Sequence, residues 1–485
     1  MTKIIFVSNS EKIHLYLWEC ILKLAENIDN VEILFFVDKS IKSHQVTLPF
    51  IINQIDKVFN FYTKNPFENK NIIDLIKKEG NISLIKNSSE LKRVDWIIFE
   101  SIPNNMNTYK SLSKNGIITL DFNKNKLINR INTLPYIDLN ILIYNENFIN
   151  WDIAETIQLK KEIGLNNNIN KILFSYSIYL AKYLKNYTKK SSVKYDSRLE
   201  TFNYLSLITY YFTFLFKQLK RKAWKKQLNW KLVVQKKNKR ALIDQPKNSF
   251  WADPFVINFK NNIVIFFEEL KNDGKTGMIS AIELAENFEI LKKKEVLNED
   301  YHFSFPNVFL FNNQYYMIPE TSEHNVLQLY ECNNFPYEWS FKMNLMENVK
   351  LLDTVWVYHN NLYYLFANVI EDFEIGNNER LYIFYSKDLF STKWTPHKEN
   401  PVITNAKSAR NAGNFFFEKD KLCRVSQNCF DQYGENLVIN EVLELSTDNY
   451  KEKILRQINP PKEYIGMHTM NRIEDITVFD YLMNE

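Results

Sequence analysis

The sequence predicts an α/β domain joined to an all-β five-bladed propeller. Three observations carry that expectation. Residues 1 to about 195 alternate short apolar runs with amphipathic ones, whereas from about Trp230 onward helical periodicity fades and similar aromatic hairpins recur. The composition agrees: among 485 residues there are 36 Phe and 27 Tyr but only 9 Gly, which favours strands turned on Asn.

The first region, 1–195, reads as strand and helix in alternation: "KIIFVS", "HLYLWECILKLAEN", "VEILFFV", "IIDLIKKEG" and "VDWIIFES". Such alternation predicts a mainly parallel, Rossmann-like sheet with ligands taken beyond the carboxyl ends of its strands, so "VSNS" after the first strand marks where a site would lie. Neither glycine-rich phosphate motif occurs, so the usual nucleotide cradle is missing. The layout of Arg93 to Asn125 resembles the core of formyltransferase-like domains, in which a Gly-x-x-Asn-x-His strand carries the chemistry. Here Gly116 is followed by Thr119 and Asp121 at those two positions. The resemblance implies the scaffold without the formyl-transfer pair.

Residues 196–229 predict an amphipathic linker helix. An aromatic run, "YLSLITYYFTFLF", precedes Lys217, Lys220, Arg221, Lys222, Lys225 and Lys226. The run falls short of the roughly 20 apolar residues that span a bilayer. Two readings stay open: a helix lying on an anionic membrane surface, and a helix buried between domains.

In 230–485 an internal repeat appears: "DPFVINFKNNIVIFFEE", "FPNVFLFNNQYYMIPE", "DTVWVYHNNLYYLFA", "NAGNFFFEKDKLCRVS" and "MHTMNRIEDITVFD". Each places a strand, a tight turn and a second strand, and the starts are spaced by roughly one propeller blade. A β-sandwich also contains hairpins, but gives no reason for the same one to return at blade period. Inner strands open on the channel, so the polar residues at the repeat starts are expected to converge: Asp253, Pro306 with Asn307, Asp353, Arg410 with Asn411, and His468 with Thr469. Glu268 or Glu269 and Glu320 close the second strands of the first two units, and Gln427 lies in that of the fourth. Tyr301, His302 and Trp356 are expected as stacking or binding surfaces, and Trp224, Trp230 and Trp251 as packing. Asp-Pro often merely opens a turn, but Asp353 at the equivalent point two units later favours function for Asp253.

These residues resemble the five-bladed propellers of glycoside hydrolase family 43. That family's general base sits in an Ala-Asp-Pro matched by Ala252-Asp253-Pro254, and its orienting Asp is matched by Asp353. Its general acid opens the fourth blade, where this chain has Arg410 and Asn411. Inverting hydrolysis needs two carboxyl groups in different protonation states. An Arg in place of the acid suits a phosphate leaving group instead. The run from "FWADPF" through "ARNAG" to "GMHTMN" is also similar to the N-terminal propeller of glucosamine inositolphosphorylceramide transferases and to bacterial surface-polysaccharide proteins that join it to a formyltransferase-like domain.

The resulting expectation is a glycosyltransferase of cell-surface glycan biosynthesis using a phosphate-activated sugar donor and a glycan or lipid-linked acceptor. Asp253, Asp353 and Arg410 would be catalytic, and Glu269, His302, Glu320, Trp356, Asn411, Gln427 and His468 would bind substrate. The alternatives are a non-catalytic carbohydrate-binding or scaffolding propeller, a glycoside hydrolase drawing its acid from Glu320, and a sugar N-formyltransferase relative. No cofactor or metal is expected, His468 being the one plausible metal centre. A net charge of +4 gives no case for nucleic acid. Cys20, Cys332, Cys423 and Cys429 have no metal-ligand spacing and read as buried thiols. The N-terminus has no signal-peptide pattern, so the expected address is cytoplasmic, peripheral on the inner membrane face if the aromatic and basic segment binds lipid.

Overall fold

The computed structural model describes residues 1–39, 64–100, 106–121, 127, 136–144, 151–162, 164–187, 193–195, 205, 208–213, 216, 228–246, 249–260, 262–271, 274–371, 374 and 377–484. They fall into two compact units, Met1–Gln218 and Leu219–Glu485.

The first unit is built on one sheet. We number its main strands β1 (Thr2–Ser8), β2 (Val31–Val37), β3 (Ile82–Ile85), β4 (Val94–Phe99), β5 (Ser113–Leu120), β6 (Tyr136–Tyr144) and β7 (Asp152–Lys160). Their order is β7-β6-β5-β4-β1-β2-β3, with Val193–Lys194 outside β7. From β5 to β3 all neighbours are parallel, as the strand–helix alternation predicts. The β5–β6 and β6–β7 pairs are antiparallel, which makes the sheet mixed. Only residues 145–151 separate β6 from β7, too few for a crossover, so the second strand must fold straight back. The helix Leu15–Asn27 buries Leu17, Ile21 and Leu24 on one stripe and packs on the long helix Leu165–Lys185. Thr119 is fully buried and its hydroxyl donates to the Phe99 carbonyl, while Asp121 accepts from Tyr195 and Asn140.

Much of the expected linker helix, including all six cations, lies outside the described residues. Residues 205, 208–213 and 216 are helical, with Tyr210 and Tyr211 buried and Leu205, Ile208, Phe212 and Phe216 exposed. Among the described residues no helix is long and apolar enough to cross a membrane.

The second unit is a five-bladed propeller, four of its sheets having four strands and that of blade IV five, because Arg410–Asn411 and Phe416–Glu418 both pair with Lys421–Asn428. Blade I runs from Trp251–Phe259 to Ile290–Leu297, blade II from Ser304–Phe311 to Glu338–Glu347, blade III from Leu351–His359 to Thr395–Pro396, and blade IV from Arg410–Asn411 to Tyr450–Ile458. Blade V combines Met470–Ile473 and Ile476–Asn484 with Leu228–Lys236 and Lys239–Leu242 from the start of the unit. Pairing of Leu228–Lys236 with Ile476–Asn484 therefore closes the ring.

The second strand of each blade explains the near-continuous apolar runs. Along Asn262–Leu270, Ile263, Ile265 and Phe267 join a core with Leu232 and Val478 of blade V. Val264 and Phe266, pointing the other way, join Val308 and Met317 of blade II. Blade III repeats the pattern, sending Leu365 and Ala367 toward blade II and Tyr364 and Phe366 toward blade IV. A strand packed on both faces loses its polar alternation, and large rings fill the layers between blades.

Leu232 is fully buried in the closing strand. Leu232→Ala is therefore expected to cost about 2–5 kcal/mol, read as a lowered urea midpoint of the propeller transition.

Candidate functional site

The inner strands of blades I, II and III carry the same backbone irregularity. Register shifts fall between Ala252 and Phe255, Ser304 and Asn307, and Leu352 and Val355. In each, a non-glycine residue adopts a left-handed conformation: Asp253 at φ 51°, Phe305 at φ 44° and Asp353 at φ 47°. A bulge re-aims its side chain, and left-handed non-glycine residues persist only where the surroundings hold them. Here Asn side chains do the holding. Asn471 donates to the Pro254 carbonyl at 2.8 Å and Asn307 to the Thr354 carbonyl at 3.1 Å, in each case the residue after the bulged Asp. Blade II departs from the expected pattern, because its bulged residue is Phe305, packed edge-on to Phe255 at 4.9 Å. Its polar contribution comes instead from Glu320 on the next strand.

Three buried networks result. In the first, Asp480 accepts backbone N–H groups from Asp253, His468 and Thr469 at 3.1, 2.9 and 2.9 Å. It also lies 2.7 Å from His468 Nδ1, while His468 Nε2 faces Asp253 Oδ1 at 3.3 Å and the Thr469 hydroxyl donates to the same oxygen. Burial pushes the Asp253 carboxyl up to about 7 despite the neighbouring imidazole. Burial alone would depress His468, but Asp480 and Asp253 outweigh it and raise the imidazole to about 9. The ligand-type atoms of Asp253, His468 and Asp480 lie within 4.8 Å of one another. Asp480 is held by three backbone N–H groups and lies against the imidazole, so the trio is a charge-paired relay from Asp480 through His468 to Asp253.

In the second network, Arg410 makes a bidentate pair with Asp353, at 2.6 and 3.3 Å, and donates to Asn378 at 2.8 Å. Gln427 donates to Asp353 Oδ2 and to the Asn411 carbonyl, and Asn411 donates to the carbonyls of Asp353 and Phe366. Glu320 accepts the Asp353 backbone N–H at 3.1 Å. Burial first, and Asp353 next, push the Glu320 carboxyl up to about 8, with Arg410 opposing. The guanidinium lies 5.1 Å from the Tyr433 ring centroid, which in turn is 5.4 Å from His468. In the third network, His302 Nε2 faces Glu268 Oε1 at 3.2 Å; burial would depress the imidazole, but Glu268 raises it to about 9.

Of the residues expected from sequence, Asp253, Asp353, Arg410, Glu320 and His468 come together, braced by Gln427 and Asn411. His302 joins through Glu268, whose charge acts on Asp253. Two placements correct the expectation. Glu269 points away, accepting from Trp251 and Ser280 and pairing with Lys293, because successive strand residues face opposite sides. Trp356 packs between Phe309 and Tyr363 in the core of blades II and III, three residues beyond the bulge and so past the channel. Tyr301 lies against Phe303 and His324. Sequence reasoning missed Asp480 and Tyr433, and Trp230, expected as packing, has its ring 3.9 Å from that of His468. Asp480 was legible only as the single acidic residue in "ITVFDYL".

Comparison with known proteins extends the picture. The family described as "Glucosamine inositolphosphorylceramide transferase 1, N-terminal" matches residues 214–472, more than half of the chain. Glucosamine inositolphosphorylceramide transferase 1 of Arabidopsis thaliana is 33% identical over 210 residues, 42% of this chain and 27% of the relative. Its counterpart in Oryza sativa subsp. japonica is 32% identical over 210 residues, 42% and 28% of the two chains. The match thus spans about a quarter of those relatives. Among solved structures, Zg3597, a family 117 glycoside hydrolase from Zobellia galactanivorans, aligns over 52% of this chain and 90% of its own, at 10% identity and TM-score 0.36. The α-L-arabinofuranosidase of Lactobacillus brevis aligns over 48% and 84%, at 13% identity and TM-score 0.36.

The relay makes stability depend on pH. His468 binds its proton more tightly folded than unfolded, so its contribution is complete below about pH 6.5 and lost as pH rises through about 9. Asp253, raised to about 7, acts in the same direction at lower pH. The thermal midpoint of the propeller transition is therefore expected to fall between pH 6.5 and 9, and His468→Gln should flatten that slope. A wild-type midpoint that rises over this interval would contradict the relay.

Proposed function

Because the chain belongs to the family of the N-terminal region of glucosamine inositolphosphorylceramide transferase 1, we propose that it is a glycosyltransferase of cell-surface glycan assembly with its site in the propeller funnel. The observation that carries this reading is the convergence of Asp253, Asp353 and Arg410 at the starts of inner strands with His468 just before one and Glu320 at the end of the second strand of blade II. Asp253, raised to about 7, is suited to take a proton from an acceptor hydroxyl near neutral pH. Arg410, oriented by Asp353 and Asn378, supplies positive charge to the phosphate of an activated sugar. Tyr433, 41% exposed above the guanidinium, offers a face for the sugar ring.

A second reading, hydrolysis, is favoured by one specific observation: Glu320, raised to about 8, is a carboxyl able to donate a proton where the fourth blade has none. The two readings separate by product. A transferase needs the acceptor, whereas a hydrolase releases reducing sugar without one and loses that activity in Glu320→Gln.

For the donor, thermal-shift screening of the full chain against sugar nucleotides, phosphoribosyl diphosphate and polyprenyl-phosphate sugars is the direct test. A cognate donor at about 100 times its Kd should stabilise the fold by about 2.7 kcal/mol. Arg410→Ala should abolish the shift, and Asp253→Asn should retain donor binding while losing turnover. If no phosphorylated donor shifts the wild type, the transferase reading fails.

We also propose that the helical residues before the propeller meet an anionic membrane surface. Leu205, Ile208, Phe212 and Phe216 follow helical spacing and are 71%, 65%, 73% and 53% exposed, and six cations follow in the next ten positions of the sequence. Co-sedimentation with phosphatidylglycerol vesicles should fall in Ile208→Asp/Phe212→Asp and weaken with salt. Equal binding to phosphatidylcholine vesicles would refute the electrostatic part.

A further inference from the structure

The mouth of the funnel carries a second cation beside Arg410. Two connections meet there: residues 397–409, which lead from Thr395–Pro396 of blade III into Arg410–Asn411, and residues 429–435, which follow Lys421–Asn428 in blade IV. In the first, Ala406, Ser408 and Ala409 are buried, whereas Lys407 is exposed and Arg410 partly so. The turn therefore directs two cationic side chains, three residues apart, outward. In the second, two aromatic residues have the same spacing, and each receives one cation. Lys407 Nζ lies 4.9 Å from the Phe430 ring centroid and the Arg410 guanidinium 5.1 Å from that of Tyr433. Both charged heads thus lie side by side along one loop.

Both connections are held from inside. The N–H groups of Lys407, Ser408 and Ala409 donate to Asn405, at 3.0, 3.0 and 2.9 Å. Arg424, fully buried and paired bidentately with Glu452, donates to the Ser408 carbonyl at 2.5 Å and to Asn411 Oδ1 at 3.0 Å. It brackets the segment that bears Arg410. The Cys429 N–H donates to the Ala406 carbonyl at 2.8 Å, which ties the aromatic loop to the turn. At the loop's other end Gly434, at φ 62°, accepts the Met467 N–H at 2.8 Å, and a Cβ there would meet His468 Cβ at 2.9 Å. The placement of the two cations is set by the fold and needs no ligand to form.

Donors remain on both heads. A guanidinium has five N–H groups, of which Arg410 gives two to Asp353 and one to Asn378, leaving two. The Lys407 ammonium forms no ion pair among the described residues, and the Phe430 face holds it through its charge rather than through an acceptor atom. Asp431, on the same loop, is exposed and pairs with neither cation. One phosphate satisfies the two open N–H groups of Arg410. The adjoining ammonium, held in place with its donors open, fits a second anionic group linked to the first.

We propose that Lys407 and Arg410 form a diphosphate site at the funnel mouth, with Lys407 taking the phosphate farther from the sugar. This rests on the reading of Arg410 as the phosphate clamp, and it narrows the donor to a sugar carried on two linked phosphates. Nucleoside and polyprenyl diphosphates share that chemistry.

Isothermal titration of the full chain with inorganic pyrophosphate, inorganic phosphate, uridine diphosphate and farnesyl diphosphate, at constant ionic strength, tests the site. Pyrophosphate is expected to bind at one site about tenfold or more tighter than phosphate. Lys407→Ala should remove that advantage and leave phosphate unchanged, Lys407→Arg should restore it, and Arg410→Ala should abolish both. Lys398→Ala, which removes an exposed lysine paired with Asp448, should alter neither. Tighter binding of uridine diphosphate than of farnesyl diphosphate would assign a nucleoside carrier and the reverse order a lipid carrier, and either supports the site. Equal affinity for pyrophosphate and phosphate, or a pyrophosphate advantage that survives in Lys407→Ala, overturns the diphosphate site while leaving Arg410 as a single-phosphate clamp. Absence of all binding in the wild type, or binding that survives in Arg410→Ala, overturns the clamp as well.

Discussion

One carboxylate, Asp480, holds the centre of the propeller in place. It sits fully buried on the strand that closes the ring, yet its oxygens take backbone N–H groups from Asp253 in blade I and from His468 and Thr469 in blade V. A buried carboxylate survives only when its lone pairs are filled, and these donors fill them. The bulged backbone that points Asp253 at the channel, the orientation of His468 and the joining of the last blade to the first therefore share one anchor.

Around that anchor the charges are deliberately unequal in number. Asp253, Glu268, Glu320, Asp353 and Asp480 confront Arg410, His302 and His468. Arg410 is committed to Asp353, so Glu320 and Asp253 are the carboxyl groups left to hold protons. Their raised proton affinities follow from burial and from one another. Two buried carboxyl groups pushed up toward neutral pH, beside a fixed guanidinium, are why the funnel is the place to look for chemistry.

Much of this was legible in the chain. The blade-length recurrence of hairpins announced the propeller, and the repeated opening residues brought Asp253, Asp353, Arg410 and His468 to one place because a radial repeat maps equal positions onto one axis. Glu269 and Trp356 misled for a local reason: near a bulge, the face a side chain takes depends on where the extra residue is inserted, and hydrophobic pattern does not reveal that. The choice between Glu268 and Glu269 could not be made before the register was known. In the first unit the parallel strands were readable from alternation, whereas the β6–β7 hairpin was not, since neither strand carries a distinctive turn.

The sequence by itself determined the propeller, the parallel part of the first sheet and the ring of repeat starts, with Arg410 and Asn411 opening the fourth, because these depend on periodicity and residue type along the chain. Tertiary structure alone decided that Asp480 is the keystone, that Arg410 is paired with Asp353, that burial raises the carboxyl groups of Glu320 and Asp253, and that Ser8, His14 and Glu100 meet. Each of those joins residues dozens to hundreds of positions apart, and desolvation and hydrogen bonding act on distance in space, which one-dimensional spacing does not encode.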